Sequence, residues 1–455
     1  MSPKEDLSRR EFLQSLAAAG LLAGTGLQAL AQDQAADAEQ FRFGLIGCGG
    51  EGRTVLLSAA LRVPGMKCVA VCDIQEAARN DALQQAGEGA KAYADYRELL
   101  AAGGMDGVVI ATPLWTHAEI AIAALQAGFN VFCEKCMAYT VDQCKDMIRA
   151  QQQAAKVLQI GHMLRYHPLY HHAKRAFIQD KVLGQIIHAY CQWNRNADWR
   201  RPLPEGTFDY TQWGYPDVEH LVNWRLYQEY SGGLTTELAS HMTDVVEWML
   251  DEAPVAVSGA GGIDVWKDGR TVFDNINVTY EYPSGIKFTV QCLTNNAYNP
   301  YVQINEAWEM LRGSDGTLLL GHLPWDRPTG LFILEPGTRE RLWMTASHRL
   351  PGVPGCRDER GAIVLDAGAT QGPNKPQIAG HEISKLIKRE EDGRLFMEMT
   401  PYQLEMEEFK QCSLQGLAPF CDGSAGLRSA AAALLANQAM TQKARVEFPA
   451  DLYTV

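Results

Sequence analysis

Phe41-Arg42-Phe43-Gly44-Leu45-Ile46-Gly47-Cys48-Gly49-Gly50-Glu51-Gly52 opens the folded part of the chain. A short run of β character enters a glycine-rich turn, and a helix-forming stretch follows from Arg53 to about Leu61. A second apolar run, Cys68-Val69-Ala70-Val71-Cys72, ends in Asp73. Each part answers to the geometry of a dinucleotide. Gly47 permits the tight turn off the strand, Gly49 leaves room for a pyrophosphate to approach the backbone, and Gly52 lets the helix pack closely. The helix then presents its N-terminal N–H groups to the phosphates. Asp73, at the end of the second strand, is placed to accept hydrogen bonds from both ribose hydroxyls. That carboxylate favours NAD, because a 2′-phosphate would meet a like charge. Arg53 is the residue that argues for NADP, which therefore stays open.

From Phe41 to Gly161 short apolar runs alternate with helical periodicity. Strands are predicted at 41–46, 67–72, 107–111, 130–133 and 157–160, and helices at 53–61, 75–86, 95–102, 117–127 and 140–154. Such βαβ alternation predicts an α/β domain, a doubly wound parallel Rossmann sheet over 41–161. Ligands of such sheets bind beyond the carboxyl ends of the strands, so two further strand ends matter. One is Thr112-Pro113, where Thr112 reaches toward a cofactor; His117 just beyond either faces it or simply begins a helix. The other is Glu134-Lys135-Cys136, where a lysine stands at the mouth of the crevice.

The 455-residue chain has room for two domains, and its net charge of −13 speaks against nucleic acid and anionic membranes as partners. Its eleven cysteines are scattered; Cys133 and Cys136 form a CxxC, but no second pair or histidine cluster accompanies it, so no metal is expected. Ahead of the fold, Ser8-Arg9-Arg10-Glu11-Phe12-Leu13 precedes a mild Ala/Gly/Leu-rich run and the small-x-small triplet Ala29-Leu30-Ala31. This segment resembles a twin-arginine signal peptide, residues 1–31, with cleavage near Ala31. The expectation is export by the twin-arginine machinery to the periplasm, folded and carrying its cofactor.

After Gly161 the character changes. Strands at 186–193, 254–261, 275–282, 286–293, 304–311 and 316–320 are joined by short turns such as Pro283-Ser284-Gly285, which predicts an α+β domain over 162–455 with a large, mostly antiparallel sheet. Residues 322–400 read as an insertion or arm. Two closing helices are predicted at 402–414 and 425–442, the second packing toward the first domain. Between 193 and 232 a long stretch gathers Trp193, Trp199, Trp213, Tyr215, Trp224 and Tyr230 among Arg195, Arg200, Arg201 and Arg225. Flat aromatic faces with charged donors suit a carbohydrate or polyol, although the same residues also build interfaces and cores. A helix predicted at 234–250 puts Glu237 and His241 four apart on one face.

Taken together these motifs resemble the glucose–fructose oxidoreductase / inositol dehydrogenase / MocA (Gfo/Idh/MocA) family. Its Glu-Lys-Pro motif corresponds to Glu134-Lys135-Cys136, with cysteine replacing proline, and its Asp-x-x-x-His pattern to Glu237 and His241, with Glu replacing Asp. The resemblance is good from Phe41 to Arg312 and loose over the last forty or so residues. It implies a dinucleotide site of Gly47, Gly49, Gly52, Arg53, Asp73, Thr112, Pro113, His117, Glu134 and Lys135. It implies a catalytic set of Lys135, His241 and Glu237. Arg165, Tyr166, Trp224, Arg225 and Asp244 are the substrate-side residues it suggests.

The function expected is therefore an NAD(P)-dependent oxidoreductase, similar to sugar and polyol dehydrogenases, acting on a sugar, glycoside or polyol and forming a homo-oligomer. Lys135 and His241 would relay the hydroxyl proton, Glu237 orienting the pair. An exported enzyme has no pool of free dinucleotide, so the cofactor is expected to stay bound and be regenerated in each cycle. One alternative is an NAD-dependent glycosidase working by oxidation, elimination and reduction. Another is a non-catalytic sugar-binding protein on a dehydrogenase scaffold, which the presence of both Lys135 and His241 disfavours.

Overall fold

The computed structural model describes residues 40–297, 307–321 and 399–455, except 180, 182, 207 and 208, with the backbone of short strands between 329 and 397. The export motif at Arg9-Arg10 and most of the predicted arm lie outside the described residues.

Six parallel strands form the first sheet: β1 (Phe41–Ile46), β2 (Met66–Cys72), β3 (Lys91–Tyr93), β4 (Gly107–Ile110), β5 (Asn130–Glu134) and β6 (Leu158–Gly161). Their order is β3-β2-β1-β4-β5-β6, the doubly wound arrangement in which the crevice opens beside β1, where the order reverses. β4 and β5 are buried along their whole length because helices cover both faces. The short β3 was not predicted; only three residues long and largely exposed at the sheet edge, it carries no apolar signal.

The second sheet is built on β7 (Ile186–Asn194), which runs parallel to β10 (Lys287–Leu293) and antiparallel to β11 (Ala307–Gly313). Antiparallel pairing continues outward through β9 (Asn275–Glu281) and β8 (Ala256–Gly262) on one side, and through β12 (Gly316–Gly321) and β13 (Thr329–Leu334) on the other. β9 and β10 alternate buried and more exposed positions, as strands with one covered face do. β13 shows that part of the predicted arm extends this sheet.

Two C-terminal helices lock the halves together. Pro401–Gln415 begins with a capping box in which Thr400 and Gln403 bond each other's backbone N–H, and its Phe409 ring meets Phe41 and Phe132 edge-on at 5.4 and 5.9 Å. The first closing helix thus docks on the first domain. The second, Gly423–Gln442, packs on helices Val141–Ala154 and Ser240–Leu250, touching both domains.

Within Ser240–Leu250 Glu247 is 4% exposed. Burial first, then Asp244, raise its pKa to about 8 from an ordinary 4.5. Between those values the folded chain holds a proton that the unfolded chain releases, so this group's contribution to stability falls as pH rises from about 4.5 to about 8. Glu247→Gln, neutral without that proton, is expected to raise stability at pH 8 by on the order of a few kcal/mol and flatten the dependence of Tm on pH. An unchanged slope across the window would mean that Glu247 is ionised in the fold.

Candidate active site

β1 delivers the chain into the turn at Gly47, whose φ of +94° belongs to the region that favours glycine. A Cβ at Gly47 would stand 2.6 Å from the Ala111 carbonyl, and one at Gly52 would stand 1.9 Å from the Gly47 oxygen. Gly49 and Gly50 are the opposite case: a Cβ on either meets nothing within 4 Å. The turn is therefore packed on its inner side and open on its outer side, the shape that a pyrophosphate approaching the backbone requires.

Asp73 follows β2 and faces the same turn. Its carboxylate accepts the Cys48 N–H at 2.7 Å and the Gln75 N–H at 2.8 Å, and Arg79 donates to its main-chain oxygen at 2.6 Å. Burial raises its pKa, against the pull of those two N–H groups. The carboxylate thus both waits at the crevice and holds the glycine turn in shape. Arg53 does not line the crevice: its guanidinium turns outward to Asp81, at 3.6 Å. The argument that it made for a 2′-phosphate loses its geometric footing.

Two cavities meet beside the turn. One, of about 380 Å³, runs from Gly47, Gly49 and Asp73 past Thr112 and Pro113. The other, of about 770 Å³, contains Lys135, His241 and Glu237 together with His117 and Glu134. Glu51, Ala111, Thr112, Arg201, Trp224 and Arg225 line both, so the dinucleotide crevice opens directly into the lysine–histidine pocket.

In that pocket Lys135 Nζ donates to the main-chain oxygen of Glu237 at 3.1 Å, a contact between the two domains. The Lys135–Cys136 peptide is cis. His241, 6% exposed, is packed between the Trp193 ring at 5.4 Å and the His162 ring at 6.2 Å. Glu237 turns its carboxylate to Arg225 Nε at 2.9 Å and lies 3.5 Å from Ser231 Oγ. Burial opposes its charge, but Arg225 and then Lys135 hold its pKa below the ordinary glutamate value. The orienting partner expected for His241 is thus bonded to Arg225, and the rings of Trp193 and His162 pack against the imidazole. Helical spacing alone could not foresee this, because Thr235–Ala239 is wound with wide i→i+5 bonds before the regular helix begins.

Glu134 is buried, and its Oε2 receives the Lys135 N–H at 3.1 Å. Burial and then the neighbouring Glu51 push its pKa well above the usual range. His117 does begin the helix His117–Gln126 and also lines the pocket. Its ring nitrogens lie 2.9 Å from the Cys136 oxygen and 2.8 Å from the Thr112 oxygen, tying the ends of β4 and β5 together. Burial lowers its pKa, so the two carbonyls compete for the single N–H of a neutral ring.

Three residues suggested for the substrate side line neither cavity. Arg165 Nε donates to both Asp244 oxygens at 2.9 Å, with the Trp248 and Phe420 rings against the guanidinium. Tyr166 bonds Glu408 at 2.5 Å and is 1% exposed. Arg165 and Asp244 pair with each other and Tyr166 with Glu408, so these side chains form a buried support rather than the pocket lining, a correction to the place expected for them. Trp224 and Arg225 do line it, the guanidinium 4.3 Å from the indole ring.

The aromatic stretch divides between both readings. Trp193, Trp199 and Trp224 line the larger cavity, whereas Tyr215, Leu221, Leu226, Tyr227 and Tyr230 form a small core of their own. That core reaches across to the first domain: Trp115 Nε1 donates to Tyr215 Oη at 3.0 Å and packs on Tyr230. Gln212, Trp213 and Tyr215 thereby line the dinucleotide crevice from the second domain. Trp115, Tyr402 and Glu51 are site residues that the motifs missed. Glu51 lay within the glycine-rich stretch itself, while the other two reach the site only through packing.

The family profile described as the oxidoreductase family's NAD-binding Rossmann fold matches residues 41–162, and the family's C-terminal domain matches 171–319. Inositol 2-dehydrogenase of Azotobacter vinelandii is 29% identical over 265 residues, 57% of this chain and 69% of that protein. An uncharacterized oxidoreductase of Streptococcus pneumoniae is 26% identical over 258 residues, 55% of this chain and 64% of the relative. The match thus spans about two thirds of the relatives' own length. Among solved structures, levoglucosan dehydrogenase in complex with NADH superposes with a TM-score of 0.65 at 19% identity, covering 90% of this chain and 99% of that one. Aldose-aldose oxidoreductase from Caulobacter crescentus gives 0.64 at 17%, covering 90% and 100%; both likenesses are of fold. The two-domain architecture, the glycine turn with Asp73 and the two matched profiles together make the chain an oxidoreductase of the Gfo/Idh/MocA family, with that family's NAD-binding Rossmann domain.

Proposed function

We propose that the protein is an NAD-dependent dehydrogenase of a sugar, glycoside or polyol that uses Lys135 and His241 as its acid–base pair. The observation that carries this reading is their convergence on one cavity continuous with the dinucleotide crevice. NAD, when bound, supplies the hydride acceptor. The chain's own task is to take the proton of the substrate hydroxyl. Lys135 is held by the Glu237 carbonyl and His241 by flanking rings, so both present polar ends to the same space. Trp193, Trp199 and Trp224 offer flat apolar faces to a sugar ring. The names of the relatives, inositol and levoglucosan dehydrogenases, agree with a polyhydroxylated substrate.

The lining that Gln212, Trp213 and Tyr215 of the second domain add to the crevice favours a cofactor that is retained between turnovers. This supports a closed cycle, in which one sugar is oxidised and another reduced, or a glycoside is oxidised, cleaved and reduced again. Purified protein is expected to carry nucleotide absorbing at 260 nm, and a substrate sugar to raise absorbance at 340 nm. Released aglycone without net reduction would select the glycosidase cycle. Nucleotide-free protein that binds sugars without redox change would select the sugar-binding alternative.

Export and self-assembly belong to the same proposal. The Arg9-Arg10 motif supports folding with cofactor in the cytoplasm before transport to the periplasm. Replacing both arginines by lysine is expected to strand the precursor inside the cell, as fractionation would show. Unchanged export would remove the argument for a permanently held cofactor that rests on location.

A further inference from the structure

The larger cavity is lined by Arg62, Arg195, Arg201 and Arg225 together with Lys135. Arg225 is answered by Glu237, and Arg200, on the same wall, by Glu219 and Asp268. Arg201 is different. Its backbone is clamped by Asn223, which is 2% exposed: the Arg201 N–H donates to Asn223 Oδ1 at 2.7 Å, and the Arg201 carbonyl accepts from Asn223 Nδ2 at 3.2 Å. The same Asn223 Nδ2 also donates to Glu219 at 3.0 Å, so the clamp is itself anchored. The Arg201 guanidinium, by contrast, makes no hydrogen bond or ion pair among the described residues.

Fixing a main chain so firmly while leaving its charged fork open is a binding arrangement rather than a stabilising one. The neighbouring charge reinforces it. Although Arg201 is exposed, partial desolvation and then the like charge of Arg225 lower its pKa, Glu237 opposing, and that carboxylate is already bonded to Arg225. Of the other acids of the wall, burial pushes Glu51 and Glu134 toward their neutral forms, and Asp198 turns its carboxylate to the Arg200 N–H at 3.0 Å. A chain of net charge −13 therefore keeps a positive pocket where its substrate is to sit.

We propose that Arg201, with Arg225 beside it, forms an anion subsite that takes the carboxylate of an acidic sugar, a uronic acid or its glycoside. A guanidinium fork matches a carboxylate with two parallel N–H···O bonds, which fixes orientation as well as charge. Binding there would set the sugar ring between the tryptophans, with its hydroxyls toward Lys135 and His241. The proposal rests on the sugar dehydrogenase reading for its substrate class, but not for the anion site itself. Because Arg201 and Arg225 line both cavities, a second source of anionic charge is the dinucleotide's pyrophosphate. The glycine turn already offers that group its own open cradle, so the sugar carboxylate is the assignment.

The test titrates the purified, nucleotide-bearing protein with D-glucuronate and D-galacturonate against D-glucose and D-galactose at low salt. Tryptophan fluorescence reads binding and absorbance at 340 nm reads redox change. At least one acid is expected to bind about tenfold more tightly than its neutral counterpart, the scale of one charge-assisted hydrogen bond. The difference should shrink with added salt, vanish in Arg201→Gln and survive in part in Arg201→Lys. Equal binding of acid and neutral sugars by the wild type would overturn the subsite. So would an Arg201→Gln variant that keeps the acid preference but copurifies with less nucleotide, which would give the guanidinium to the pyrophosphate. Arg201-dependent acid binding with neither a change at 340 nm nor any oxidised, reduced or cleaved sugar product would leave the subsite standing and remove the dehydrogenase reading instead.

Discussion

Lys135→Ala and His241→Ala are each expected to lower turnover by roughly 10²–10⁴ while leaving bound nucleotide nearly intact, the usual contribution of a positioned acid–base group. The expectation comes from geometry as well as residue type. Lys135 Nζ is tethered to the Glu237 carbonyl at 3.1 Å, and His241 is wedged between the Trp193 and His162 rings, so neither is free to swing away from the pocket. If both serve one proton path, losing either breaks it, and the double variant should be little worse than the worse single one. Glu237→Gln should cost less than either. The carbonyl that holds Lys135 survives the change, although Arg225 then loses its counter-charge. Nucleotide content by absorbance and turnover on an accepted sugar check all three. Full activity of His241→Ala on every substrate of the wild type would remove the histidine from the mechanism.

Asp73→Ala is expected to weaken NAD binding by about 10–100-fold, the loss of one or two hydrogen bonds to a charged acceptor, and to narrow the preference for NAD over NADP. The structure makes the effect larger than ribose contact alone would. The same carboxylate holds the Cys48 and Gln75 N–H groups, so its removal loosens the glycine turn and leaves two donors without their acceptor. Dinucleotide titration of nucleotide-stripped protein reads both effects. A wild type that prefers NADP would refute the role given to Asp73.

Much of the first domain was legible because its signals are local. A parallel strand covered on both faces must be apolar throughout, as Val108-Val109-Ile110 and Val131-Phe132-Cys133 are. A glycine at positive φ leaves the same mark wherever it occurs, as Gly47 does. β3 escaped because an exposed edge strand of three residues needs no apolar pattern. The site was legible only in part. Lys135 and His241 share a cavity, but Arg165, Tyr166 and Asp244, read as facing it, pair with one another or with Glu408 instead.

The sequence by itself determined the dinucleotide turn, the order of the two domains and the identities of the lysine and histidine, because backbone geometry and strand burial constrain residue type position by position. Only the tertiary structure decided which charges remain unanswered. Glu237 is bonded to Arg225, Arg53 to Asp81 and Arg165 to Asp244, while the guanidinium of Arg201 stays open to the cavity. A charge's role depends on which opposite charge the fold brings within a few ångströms, and that distance is set by packing between elements far apart in the chain.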